Sequence, residues 1–160
     1  MGFKSKDTAM KKMVIPADAK YLVKVRDFAV RFGKKNGVNR KDINGLRISI
    51  DEICSNIVLY AYKGRKRGNI QIELERKENL LVVNIIDTGV EFDYSTIEKP
   101  DLHKFVFEGK RGGFGFHLVK KLNDDVNYKR VGDQNIVTFK KIIEPKRSFF
   151  KRLKNKCQPA

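Results

Sequence analysis

Apolar residues recur along this chain with two different periods, and the switch between them divides it into predicted helices and strands. "MKKMVIP" (10–16) alternates weakly and reads as a short first strand. The stretch 17–37 then carries Leu22, Val25, Ala29 and Phe32 at the spacing of an amphipathic helix, ending at Gly33 or Gly37. A second helix covers 40–64, with Ile43, Leu46, Ile50, Ile53 and Ile57 as its buried stripe. After Gly68 the period drops to two. "NIQIELERK" alternates at Ile70, Ile72 and Leu74, and "NLLVVNIID" is more continuously apolar, so the pair predicts a hairpin closed by "KEN" with the second strand more buried. Residues 88–113 are irregular and polar, longer than an ordinary connection, and such loops tend to carry function. "FGFHLVKKL" predicts a short helix, and "VNYKRVGDQNIVTFKKII" a final hairpin turning at "GDQN". This order implies a two-layer α+β fold with helices on one face of a mainly antiparallel sheet.

Composition sets bounds on that picture. A length of 160 residues at 41% hydrophobic suits one domain with a real core. No run approaches the roughly 18 apolar residues of a membrane helix. "MGFKSKDTAMKK" has no apolar segment after its charges, so no signal peptide is expected. Cys54 and Cys157 make no disulfide framework, which fits a reducing, cytoplasmic setting. The formal charge of +16 implies attraction to something anionic, yet much of it is terminal: 145–160 holds six Lys and Arg and no carboxylate. Fold and charge therefore report on different things.

Three short motifs carry candidate chemistry. Glu52 and Asn56 lie four apart on the second helix, hence on one face. "DTGVEFD" at the end of the buried strand places Asp87 and Gly89 at the exit into the long loop. That loop closes in "GGFGFHL", where Gly112, Gly113 and Gly115 lead into a helix behind Lys110 and Arg111. A glycine-rich turn opening a helix lets backbone N–H groups approach phosphate oxygens. An Asn amide oxygen suits Mg²⁺ shared with phosphates and water. A carboxylate one turn away can orient or deprotonate a hydroxyl. Asp87 can accept from an exocyclic amine such as adenine's, and Gly89 admits a flat base against the backbone. Each motif alone also has an ordinary reading, as a solvated helix edge, a turn or a tight connection. Their order and spacing together are harder to assign to chance.

On these residues the chain resembles the GHKL ATPase superfamily, and within it the small anti-sigma-factor serine/threonine kinases of bacteria. "IDEICSNIVLYAY" is similar to that family's N box, "DTGVEFD" to its first glycine box and "GGFGFHLV" to its second. The likeness extends over residues 10 to 142. It implies the Bergerat-type two-layer sandwich on a mainly antiparallel mixed sheet, with ATP and Mg²⁺ as cofactors. It further implies Glu52 as general base, Asn56 as Mg²⁺ ligand, and Asp87 and Gly89 at the adenine. Thr138 resembles a threonine that supports Asp87 there. Lys110, Arg111, Gly112, Gly113 and Gly115 would hold phosphates, beneath a lid over 94–111. Tyr60 stands where many relatives have His, and Glu91 where some have Gly. Asp51, His103 and His117 read as structural or surface residues.

The expected organisation is an N-terminal extension (1–9), an ATP-binding kinase domain (10–143) and a basic amphipathic tail (144–160). By resemblance the function is ATP-dependent phosphorylation of a Ser or Thr on an antagonist protein by a homodimer that also sequesters a sigma factor. An alternative is a regulatory module that binds ATP or ADP without turnover. A third reading makes the tail primary: Phe149, Phe150 and Leu153 among the cations of 146–156 suit an anionic membrane surface or an acidic partner. Nucleic acid is disfavoured because no reading motif accompanies the charge, and "CQPA" lacks the aliphatics of a prenylation site. A sensor histidine kinase is disfavoured too, since there is no room for a dimerising helical pair bearing a phosphoacceptor His.

Overall fold

A computed structural model describes residues 8–92 and 114–144. Five strands form one sheet: β1 (Thr8–Pro16), β2 (Asn69–Lys77), β3 (Leu80–Asp87), β4 (Asp125–Val131) and β5 (Gln134–Ile142). Their spatial order is β1-β2-β3-β5-β4. Helices α1 (Leu22–Lys35), α2 (Arg40–Asn56) and α3 (Phe114–Leu122) cover one face. All four strand pairings are antiparallel, so the expected mixed character of the sheet does not hold among the described strands. The physical reason lies in the connections. Hairpins join β2 to β3 and β4 to β5, while the helical segments between β1 and β2 return the chain in the opposite sense.

Burial follows the sequence alternation. Ile70, Ile72 and Leu74 of β2, Leu81, Val83 and Ile85 of β3, and Val137 and Phe139 of β5 turn toward the helices and are buried. Val25, Ala29 and Phe32 of α1 meet them with Ile43, Leu46, Ile50 and Ile53 of α2 in one core. Strand β1 begins at Thr8, two residues before the expected start of the folded unit. Gly33 does not end α1. It lies inside the helix, where a Cβ would come within 2.6 Å of Ile43 Cγ1, so its bare backbone sets how closely α1 and α2 approach. The helix stops at Lys35 and the chain reverses through Gly37 in the left-handed region, φ 67°. Asn39 caps α2, its Oδ1 accepting from Asp42 N at 2.8 Å.

Two features depart from the simple pattern. The second helix was expected to be continuous to residue 64; its last turn instead widens into a π-turn over Ile57–Ala61. And Arg76 keeps the inward parity of β2, placing a guanidinium at zero exposure. It donates from Nε to Glu78 O (2.9 Å), from Nη2 to Glu144 O (3.1 Å) and from Nη1 to Asn36 O. One side chain thus ties the end of α1, the β2–β3 turn and the end of β5. The lid 94–111 with His103, and also Lys110, Arg111, Gly112, Gly113 and the tail 146–156, lie outside the described residues. Among those described, no helix is long and apolar enough to cross a membrane.

Arg76→Met keeps the apolar stem and removes every donor. Leaving buried acceptors unpaired costs roughly 1–3 kcal/mol each, so a loss of about 3 kcal/mol is expected, read as a lower urea midpoint at unchanged slope. A loss below about 1 kcal/mol would contradict the anchoring role.

Candidate functional site

The end of the sheet opposite Arg76 is where the candidate residues gather. Asp87 closes β3 on the helix-facing side and is only 5% exposed. A carboxylate buried so far needs donors, and it has two. Gly89 N donates to Asp87 Oδ1 at 2.7 Å, and Asn135 Nδ2 donates to the same oxygen at 2.9 Å. Oδ2 has no donor among the described residues. Burial raises the Asp87 pKa; the Asn135 and Gly89 hydrogen bonds and the nearby Arg130 charge work in the lowering direction.

Gly89 is where it is because nothing else fits. A Cβ there would lie 2.5 Å from both the Ala61 carbonyl oxygen and the Ala61 Cβ. The next residue uses that closeness: Val90 N donates to Ala61 O at 2.8 Å. The π-turn therefore does more than end α2, since its last carbonyl holds the strand exit. Tyr62, just beyond it and buried, accepts from Thr88 N at 3.0 Å and donates to Asn69 O at 3.3 Å. Asp87 is thus framed by bonds on both flanks.

A cleft beside Asp87 is lined by Asn56, Ile57, Tyr60, Ala61, Val90, Phe92, Tyr128 and Asn135. It brings Asn56 and Asp87, predicted from separate motifs, to one place. The enclosed space is about 30 Å³, room for water rather than a ring. Tyr60 (49% exposed) and Phe92 (41%) form its rim, so widening it means displacing two surface side chains.

Glu52 lies one helical turn before Asn56 and faces α3. A Cβ built on Gly115 would land on the Glu52 carboxylate, so these two positions are in direct apposition. Glu52 is half-buried, and its pKa is raised, first by burial and then by the charge of Asp51. Asp51 itself turns toward α1, where Arg26 Nη1 meets its Oδ1 at 2.9 Å. Among the described residues no three His, Cys, Asp or Glu side chains cluster as a metal cage. A cation here would take most of its ligands from phosphate and water, which is how Mg²⁺ commonly binds.

Thr138 requires a correction. It was expected beside Asp87, but it faces the opposite side of the sheet. Its Oγ1 donates to Asn84 Oδ1 at 2.7 Å, and Asn84 is its cross-strand partner. The reason is strand parity: Asp87 pairs with Asn135, and positions 135, 137 and 139 share its face whereas 138 does not. The side chain that does support Asp87 is Asn135, which sequence reasoning passed over. Its signal was available, because counting inward parity back from Phe139 and Val137 reaches Asn135 as a polar residue in a buried row. Arg130 was missed as well, and it lies on the strand paired with β5.

Residues 15–141 match the model of the histidine kinase-like ATPase domain. The serine-protein kinase RsbW of Bacillus thuringiensis is 34% identical over 118 residues, covering 71% of this chain and 73% of the relative. The RsbW of Bacillus cereus is similar to the same extent. Among solved structures, the RsbU and RsbW domains of a Mycobacterium tuberculosis protein superpose with a TM-score of 0.59 at 16% identity, over 84% of this chain and 32% of that one. The histidine kinase domain of a blue-light activated kinase from Erythrobacter litoralis gives 0.52 at 16% identity, over 81% and 62%. The fold is accordingly α+β of the GHKL type.

Gly89→Ala tests the close approach. The obstacle is backbone, which cannot swing aside, so a cost of about 1–3 kcal/mol is expected, measured as a Tm fall of several degrees. An unchanged Tm would mean the strand exit is looser than the Val90–Ala61 bond implies.

Proposed function

The chain belongs to the histidine kinase-like ATPase domain family, and from that premise we propose that it is an ATP-dependent serine/threonine protein kinase of the anti-sigma-factor type. Its substrate in this reading is an antagonist protein carrying the acceptor hydroxyl, and its second partner a sigma factor that it sequesters. The kinase unit is residues 10–143, acting as a homodimer. The relatives named serine-protein kinase support the activity. The observation that carries the mechanism is the pairing of two differently placed carboxylates: Asp87 sunk at a strand end, and Glu52 held against the start of α3 one turn from Asn56.

The site's residues divide the work. Asp87 Oδ2 accepts from the exocyclic amine of the base, and Gly89 leaves the backbone open to the ring face. Asn56 offers an amide oxygen to Mg²⁺, which when bound would neutralise charge on the phosphates. Glu52 accepts the proton of the acceptor hydroxyl as that oxygen attacks. Gly115 leaves room for the Glu52 carboxylate, while Lys110, Arg111, Gly112 and Gly113 would contact phosphate from outside the described residues. Phosphoryl transfer asks for positioning and charge more than for covalent chemistry. A base with a raised pKa is suited to proton removal near neutrality.

Glu52→Gln should lower phosphorylation of the antagonist by about 10²–10⁴-fold while ATP affinity stays within about threefold. Undiminished transfer would remove Glu52 as base, and absent transfer in wild type with ATP still bound would favour the non-catalytic nucleotide module. The sign of the pH dependence follows from the raised pKa. Transfer needs Glu52 ionised, so kcat/KM should rise with pH through a limb above the ordinary carboxylate range.

Gly115→Ala gives an independent check. Alanine favours a helix over glycine by up to about 1 kcal/mol, and the atom it meets is the end of a flexible side chain. Tm should therefore hold while transfer drops at least tenfold, because the Glu52 carboxylate is pushed off its position. Full activity in this variant would place the working carboxylate elsewhere.

A further inference from the structure

Asp87, Asn135 and Arg130 are consecutive partners across three strands: Asp87 pairs with Asn135 on β5, and Asn135 pairs with Arg130 on β4. All three side chains lie on the helix-facing side, with Tyr128 two residues before Arg130 on the same face. Asn135 Nδ2 donates to Asp87 Oδ1 (2.9 Å), Val90 O (3.1 Å) and Gly89 O (3.3 Å). Its Oδ1 receives Arg130 Nη1 at 2.7 Å and Tyr128 OH at 2.9 Å. Arg130 Nη1 also reaches Gly89 O at 3.3 Å.

These partners fix which way the amide points. Every neighbour on the Asp87 side is an acceptor and Arg130 is a donor only, so the flipped amide would face repulsion in four contacts, while the Tyr128 hydroxyl can serve either orientation. A buried amide with all its capacity used is a rigid strut. It engages Oδ1 of Asp87 and ties down the two carbonyls that follow, leaving Oδ2 as the acceptor the site can offer.

We infer that Tyr128, Arg130 and Asn135 are positioning residues, a clamp built from the sheet edge that fixes the Asp87 carboxylate so that the cleft selects a base bearing an exocyclic amine over one bearing a carbonyl. This rests on the reading of Asp87 as the base-recognising group. A clamped carboxylate can only accept. An amine at the position facing Oδ2 gains a hydrogen bond, while a carbonyl oxygen there meets an acceptor it cannot satisfy, and buried mismatches of that kind discriminate strongly. A carboxylate released from Asn135 can turn, or can take up a proton and donate to the carbonyl. Either change erodes the discrimination. Arg130 assists at the far end by orienting the amide, and its positive charge favours the ionised form of Asp87. The edge strand β4 therefore reaches the base site through one intermediary rather than by direct contact.

The experiment is a calorimetric titration of the full chain with Mg²⁺ and each of three probes: ATP, inosine triphosphate and inorganic tripolyphosphate. Wild type should prefer ATP to inosine triphosphate. In Asn135→Leu, which keeps the branching and the number of side-chain heavy atoms, that preference should collapse by at least tenfold. In Arg130→Met, at a half-exposed edge position, it should fall several-fold, and in both variants tripolyphosphate affinity should stay at the wild-type value. A purely structural role would lower all three affinities together and leave the ratio unchanged, which overturns the inference. If Asn135→Leu does not fold, Arg130→Met decides alone: an ATP preference equal to wild type's refutes the clamp. A wild type with no preference between the two nucleotides would instead defeat the underlying assignment of Asp87.

Discussion

Burying one carboxylate at the end of a strand is the constraint around which this end of the molecule is arranged. A charge taken out of water costs several kcal/mol unless donors replace the lost hydration. Asp87 receives two, one from the backbone two residues ahead and one from the neighbouring strand. The first requires the chain to turn sharply against Ala61, which only a glycine at 89 permits. The second requires β5 to lie beside β3 in the register that pairs Asp87 with Asn135. Local turn chemistry, sheet order and the widened last turn of the second helix therefore answer to one oxygen atom. The other oxygen has no donor among the described residues, and it is the acceptor that the proposed base recognition uses.

The two ends of the sheet solve opposite problems with buried charge. At the far end, Arg76 donates to carbonyls from three separate elements. Its burial stabilises the corner where α1, the β2–β3 turn and β5 meet. At the near end, Asp87 is satisfied on one side only. A protein of this size has one core and little stability to spare, so firm closure at one end lets the other carry an incompletely paired acid. The same contrast separates Cys54, whose thiol is raised by burial above all and stays inert in the core, from Glu52, which is half-buried and reachable.

Much of this was legible in the sequence, and the misses share one cause. Among the described residues, period counting located the three α-helices and five strands, since alternation at Ile70, Ile72 and Leu74 or helical spacing at Leu46, Ile50 and Ile53 is a property of neighbours in the chain. Glu52 and Asn56 could be placed on one face for the same reason. What period counting cannot supply is the offset between strands. Thr138 and Asn135 are both polar residues of one strand, and only the register with β3 says which of them meets Asp87. Shifting by an odd number of residues exchanges the two faces, so an assignment three positions away fell on the wrong side of the sheet. Arg130 and Arg76 were not singled out, although parity along each strand turns it inward.

The electrostatics of the two carboxylates show why their environments had to differ. Asp87 is more deeply buried, yet donors and Arg130 oppose the effect of that burial, so its ionised form can persist as an acceptor. At Glu52 burial and the adjacent Asp51 both push the pKa upward. Asp51 is itself paired with Arg26 of α1 at 2.9 Å, and both groups are partly exposed, so solvent screens the pair. Reversing the two environments would defeat both roles. In the proposed mechanism, a strongly stabilised Glu52 would hold its charge too well to take a proton, and an uncompensated Asp87 would take one and lose the acceptor it is proposed to offer the base. Burial raises both carboxylates, and what differs is their neighbours: donors and a cation work against that rise at Asp87, whereas a second acid adds to it at Glu52.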